Sequence, residues 1–198
     1  MTAVRWGLLT ILGCAVLLTA AAAGSGCGGK KSRKAEPLGG AKAGDRVTVD
    51  GTLSLRGNMP HPLLVLERGD GGVVVIQSSE LQDELAVLSG MRVEIEGKVL
   101  PSIEDETPVV NAHGYRLLAL PSGEVPFVGT LRLVEDACVL EATDGKRYWV
   151  RGEFAAVLKD FDGAKIWVVG TTGDAALPEK PEGTVPLWVT GYGVLSER

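Results

Sequence analysis

Few residues of this 198-residue chain carry side chains that could do chemistry: three cysteines, Cys14, Cys27 and Cys138, and two histidines, His61 and His113. A catalytic thiol needs a base beside it to form the thiolate. Cys138 stands in an alternating apolar run with no such base nearby in sequence, so it reads as a small buried hydrophobe. His61 lies in Asn58-Met59-Pro60-His61-Pro62, a proline-locked turn. His113 follows Ala112 in a strand-like run. One histidine per site, without a paired carboxylate or thiol, falls short of the three or four converging ligands that zinc requires. Glu104-Asp105-Glu106 are consecutive acids, unlike the spaced ligands that converge on a hard cation, and read as a solvated loop. Asp160-Phe161-Asp162-Gly163 reads as a helix end. No Gly-rich phosphate loop, nucleophile elbow or metalloprotease helix is present. The expectation is no catalytic residue, no metal and no cofactor. An enzyme of an unrecognised kind would need a pocket holding His113 or Cys138 beside an acid.

Cys27 invites a different chemistry. Arg5 supplies a positive start, Leu8 to Ala23 is an almost unbroken apolar run, and Gly24-Ser25-Gly26 puts small residues directly before the thiol. This resembles a bacterial lipoprotein signal, in which the chain is cut before the cysteine and the sulfur is acylated. Gly24 departs from the leucine usual in that pattern. Ile11-Leu12-Gly13-Cys14 fits the pattern locally but leaves too short an apolar core ahead of it. Two alternatives stand beside the lipoprotein reading: an uncleaved anchor, since about 18 apolar residues can span a bilayer, and an ordinary secretory cut near Ala23. All three export the rest of the chain. The resemblance implies lipid attachment at Cys27, membrane association and a place in the cell envelope. The absence of an acid at position 28 favours the outer over the inner membrane where both exist.

The chain carries 20 Lys and Arg against 25 Asp and Glu, a net charge of −5. Lys30, Lys31, Arg33, Lys34 and Lys42 make the segment after Cys27 basic, whereas the region after Gly44 is acidic. The basic segment is rich in Gly, Ala, Lys and Pro and cannot build a core, so it is expected to be a disordered tether, with contact to anionic headgroups as the sharper alternative. A net negative globular part argues against nucleic acid as a partner.

Beyond Gly44 the chain repeats itself. Gly51-Thr52-Leu53 returns as Gly129-Thr130-Leu131, and Val65-Leu66-Glu67 as Val139-Leu140-Glu141. Asp70-Gly71 and Asp144-Gly145 each separate two β-rich runs as a tight hairpin turn should. Leu81, Leu85 and Leu88 before Gly90 match Phe154, Leu158 and Phe161 before Gly163, at a spacing that gives one apolar helical face. Arg92 to Gly97 then matches Lys165 to Gly170, and Val110 to Tyr115 matches Leu187 to Tyr192. The order is three strands, a helix and two strands, twice.

That pattern resembles the OB-fold, as found in small exported bacterial domains and in families similar to the tRNA-anticodon-binding fold. It implies an all-β chain of two tandem five-stranded OB-like barrels, each with one short helix between strands 3 and 4, preceded by a signal helix and a disordered linker. The expected division is 1–26 signal peptide, 27–44 disordered basic linker, 45–120 first OB-like domain and 121–198 second. Gly51, Gly97, Gly129 and Gly170 fit the sharp bends of barrel closure. A β-sandwich is the structural alternative.

The halves differ in their aromatics. Beyond Gly44 the first has only Tyr115, while the second has eight, from Phe127 to Tyr192. Alternation sends Val93, Ile95, Ile166 and Val168 inward, which places Trp167 and Trp188 outward. Trp149, Trp167 and Trp188 are therefore the candidate ligand or partner surface. They either pack against the other barrel or a partner chain, or form a stacking platform. Lys146, Arg147, Arg151 and Lys165 lie nearby, offset by Asp144, Glu153, Asp160 and Asp162. The expected function is a non-catalytic binding or assembly module in the envelope, with an envelope protein as candidate partner. A glycan- or small-ligand-binding protein using the aromatic face of the second domain is the alternative.

Overall fold

The computed structural model describes residues 38–58, 62–101, 107–173 and 180–197. The leader, Cys27 and most of the basic segment lie outside the described residues, as do His61 and Glu104-Asp105-Glu106. All the described residues fall in one compact unit, Lys34–Arg198.

Ten strands and two short helices follow the expected order. The first half supplies β1 (Arg46–Arg56), β2 (Leu63–Glu67), β3 (Val73–Gln77), α1 (Gln82–Val87), β4 (Arg92–Leu100) and β5 (Val109–Ala119). They close a barrel in the order β1-β2-β3-β5-β4. The β3–β5 pair is parallel, and β4 closes antiparallel onto β1. The second half repeats this with β6 (Phe127–Val134), β7 (Ala137–Ala142), β8 (Arg147–Arg151), α2 (Ala155–Leu158), β9 (Lys165–Thr172) and β10 (Thr184–Ser196). Its barrel runs β10-β8-β7-β6-β9, again with one parallel pair, β8 with β10. This strand order, with the helix between the third and fourth strands, is OB-like.

Period-two alternation builds both cores. Val93, Ile95, Ile166 and Val168 are fully buried inside their barrels, as the pattern predicts. The leucine face of α1 plugs the first barrel through Leu85 and Leu88, and Leu158 of α2 does the same in the second. Equivalent hydrogen bonds tie each helix end to its first strand. Gly90 N donates to Leu53 O at 2.7 Å, and Gly163 N to Leu131 O at 2.8 Å.

The turns repeat as well. Asp70 Oδ1 accepts from Gly72 N, and Asp144 Oδ1 from Lys146 N, both at 2.9 Å. Gly71 and Gly145 hold φ of 83° and 84°, the left-handed region these hairpins need. At Gly51 the requirement is space: a Cβ there would stand 2.5 Å from Glu67 O, and one at Gly129 would strike Glu141 O in the matching place. Strand one bends across strand two at that point.

Two features depart from two separate bodies on a tether. Leu38, in the segment expected to be disordered, is buried in the core of the first barrel, behind a turn of 3-10 helix at Leu38–Gly40. That core also takes in Leu195 from β10, with Val128 and Trp167 of the second barrel packed against it.

Candidate functional site

The β8 sequence Arg147-Tyr148-Trp149-Val150-Arg151 alternates strictly. Tyr148 and Val150 enter the barrel core, so Arg147, Trp149 and Arg151 point outward. Register supplies their neighbours on the outer face. Trp149 lies between Val139 of β7 and Pro186 of β10, Arg147 between Glu141 and Thr184, and Arg151 opposite Trp188. The Arg151 guanidinium sits 4.1 Å from the Trp149 ring centroid, a cation–π contact. Beneath it Trp149 is only 6% exposed.

Glu141 is shared by two arginines, Arg132 Nε at 3.7 Å and Arg147 Nε at 3.8 Å. Neither distance is a hydrogen bond, and Arg147 Nε is buried with no acceptor among the described residues. Such a buried donor is uncommon in a folded protein. Beside Trp149 an open cleft of ≈ 650 Å³ is lined by Glu135, Asp136, Trp149, Arg151 and Lys159. Glu135 and Asp136 form the β6–β7 turn at φ of 48° and 66°, a left-handed pair without glycine. The first barrel has Val73, Val75 and Gln77 where the second has this Arg-Trp-Arg stripe.

The structure separates the three tryptophans. Trp149 and Trp188 share the outer face of β8 and β10, while half-buried Trp167 packs against the core of the first barrel. The aromatic surface expected to cover the other barrel is therefore Trp167 alone. Lys165, counted by sequence among the cations near the platform, instead meets Glu84 of α1 at 2.6 Å. Tyr115 OH donates to the same carboxylate at 2.6 Å. This joint was missed, although one signal pointed to it: Glu84 occupies the repeat position of Val157.

Of the other chemical residues, Cys138 borders the cleft beside Trp149 with Glu135 and Asp136, whereas His113 does not. His113 is exposed on β5. Cys138 is buried, and burial pushes its thiol up, Lys159 lowering and Asp162 raising it further. Asp162 Oδ1 accepts from Leu133 N at 3.0 Å at the helix end. Among the described residues no group of three or more His, Cys, Asp or Glu could hold a metal ion.

No family model matches this chain, and no curated protein matches it significantly. Among solved structures, the wild-type single-stranded DNA binding protein from Thermus aquaticus is 13% identical, over 80% of this chain and 96% of that one, with a TM-score of 0.26. A deletion mutant of it is 14% identical, over 79% and 97%, with a TM-score of 0.25. At these scores the likeness carries no function across. The exclusion of nucleic acid drawn from net charge is corrected on physical grounds. The physical reason is local: a whole-chain charge of −5 says nothing of one face, where Arg132 and Arg147 share a single Glu141 and Arg151 lies over Trp149.

Proposed function

We propose that this chain is a non-catalytic binding or assembly module of the cell envelope, tethered to a membrane through acylated Cys27, with two tandem OB-like domains held outside the cytosol. It grips its ligand on the outer face of β7, β8 and β10. One observation carries the ligand face: Arg147, Trp149 and Arg151 stand outward on the third strand of the second barrel, on the strand 2–3 surface that OB-folds use for oligonucleotides and oligosaccharides. The sister barrel keeps only Val73, Val75 and Gln77 there. A glycan or small oxygen-rich ligand would lie against Arg151 and the exposed part of the Arg147 side chain.

A second reading, single-stranded nucleic acid, is favoured by the same stripe, since an arginine plane backed by tryptophan stacks bases. Calorimetric titration of the chain with an uncharged oligosaccharide and with an oligothymidylate of about 15 nucleotides separates the two. Binding that weakens steeply with salt marks the polyanion. Binding indifferent to salt marks the neutral glycan. Arg151→Gln and Arg147→Gln should each reduce binding at least about tenfold while the fold is retained. Failure of both ligands to bind would retire this face. The anchor is tested separately by intact mass and membrane fractionation of wild type and Cys27→Ala, where an unmodified, soluble wild type would reject it.

A further inference from the structure

Most arginines of the described chain are engaged by acids. Arg56, Arg68, Arg92 and Arg116 each meet a carboxylate at 2.7–3.0 Å, and Arg132 and Arg147 share Glu141. Arg151 is placed differently: it lies over the Trp149 ring at 4.1 Å, and among the described residues no carboxylate engages its N–H groups. Trp149, 6% exposed beneath that guanidinium, has no face left for a ligand ring. Its neighbours across the sheet, Val139 and Pro186, are buried as well, so the indole is a fixed base. A guanidinium lying over an indole is held by one face, which leaves its in-plane N–H fork free and pre-set for an oxyanion. The rotamer freedom that an arginine ordinarily loses on binding is already lost here.

The cleft beside this pair decides which oxyanion. Arg151 and Lys159 line it together with Glu135 and Asp136, two cations against two acids. A single negative charge can meet Arg151 there with Lys159 as a second cation. A run of phosphates, one charge per nucleotide, would also be brought against Glu135 and Asp136. Resting on the reading that the outer face of β7, β8 and β10 holds a glycan, we propose that Arg151 binds the carboxylate of an acidic sugar unit. Trp149 is then a positioning residue, which fixes the guanidinium without touching the ligand.

The test is calorimetric titration with a galactose tetrasaccharide and with its counterpart carrying one galacturonate, which differ only by a carboxylate in place of a hydroxymethyl group. Wild type should bind the acidic sugar at least about tenfold more tightly. Arg151→Lys keeps the charge but not the planar fork, and should cut that preference to less than about twofold. Trp149→Leu should do the same, and Trp149→Phe, which keeps a ring under the guanidinium, should restore most of it. Arg92→Gln removes a positive charge from the first barrel and should leave the preference as it is. Should Trp149→Leu lose its native circular dichroism, Arg151→Lys and Trp149→Phe carry the test. Equal affinity of wild type for the two sugars overturns the carboxylate assignment while the face stands. So does a preference that survives Arg151→Lys, or an oligothymidylate bound more tightly than either sugar. A preference kept in a folded Trp149→Leu overturns the positioning role. Binding of neither sugar retires the face itself, and the assignment of Arg151 with it.

Discussion

Lys165 Nζ lies 2.6 Å from Glu84 Oε2, joining the fourth strand of the second barrel to the helix of the first. The same ammonium stands 4.6 Å from the Tyr115 ring centroid, and Tyr115 OH donates to Glu84. Burial opposes ionisation of Glu84, but hydrogen bonds from Lys165 and Tyr115, the lysine charge and a bond from Ser196 together outweigh it. They hold the carboxyl below its ordinary value. Burial first, then Glu84, pushes the Tyr115 phenol far up. The joint is thus a lock whose parts titrate at opposite ends of the pH scale.

Stability should therefore show two limbs. The Glu84 contribution is whole above its ordinary 4.5 and is lost as pH falls below it, because the folded-state value is the lower one. The Tyr115 contribution is whole below 10.0 and is lost as pH rises beyond it, because there the folded-state value is the higher. Urea unfolding across this range should give a plateau with a fall on each side. Glu84→Gln should cost about 1–3 kcal/mol at neutral pH and flatten the acid limb. An acid limb as steep in the variant as in wild type would show that other carboxylates govern it.

Gly51→Ala places a Cβ 2.5 Å from Glu67 O, where strand one bends across strand two. The main chain must move to admit it, at about 1–3 kcal/mol. Gly40→Ala meets nothing within 4 Å and should change stability by less than about 0.5 kcal/mol. Thermal unfolding of the two variants should differ accordingly; equal shifts would remove the close approach as the reason for glycine.

Cys138 is 3% exposed, and its thiol is pushed up by burial. In a chain carrying Cys14→Ser and Cys27→Ser, a disulfide reagent at mildly alkaline pH should leave Cys138 unmodified until denaturant is added. Prompt reaction in the native state would place the thiol in contact with solvent.

Leu38 is buried at 9% exposure in the first core, so Leu38→Ala should cost about 2 kcal/mol. Leu63→Ala, at 54% exposure, should cost less than about 0.5 kcal/mol. Comparable losses would mean that the segment around Leu38 does not support the barrel.

Barrel architecture was readable because its signals are local and doubled. Alternation, the Asp-Gly turns and the apolar helix triads occur twice at matching spacing, and the hydrogen bond from helix end to first strand repeats too, Gly90 to Leu53 and Gly163 to Leu131. The candidate face was only partly readable. Outward placement of Trp167 and Trp188 follows from period two, but alternation cannot tell a solvent-facing position from one against another barrel. That distinction rests on the contact between Trp167 and the first core, which is formed by residues far apart in sequence. The partnership of Glu84 with Lys165, 81 residues apart, was invisible for the same reason. Leu38 was missed because composition averages over a segment, whereas burial is decided by one side chain.

Leu195 has a consequence for biosynthesis. It belongs to the core of the barrel that a ribosome makes first, yet it lies on the tenth strand. While translation is still producing the second barrel, the surface beside α1 that Leu195 covers stays bare. The joint between the two barrels is therefore completed only once the last strand has been made.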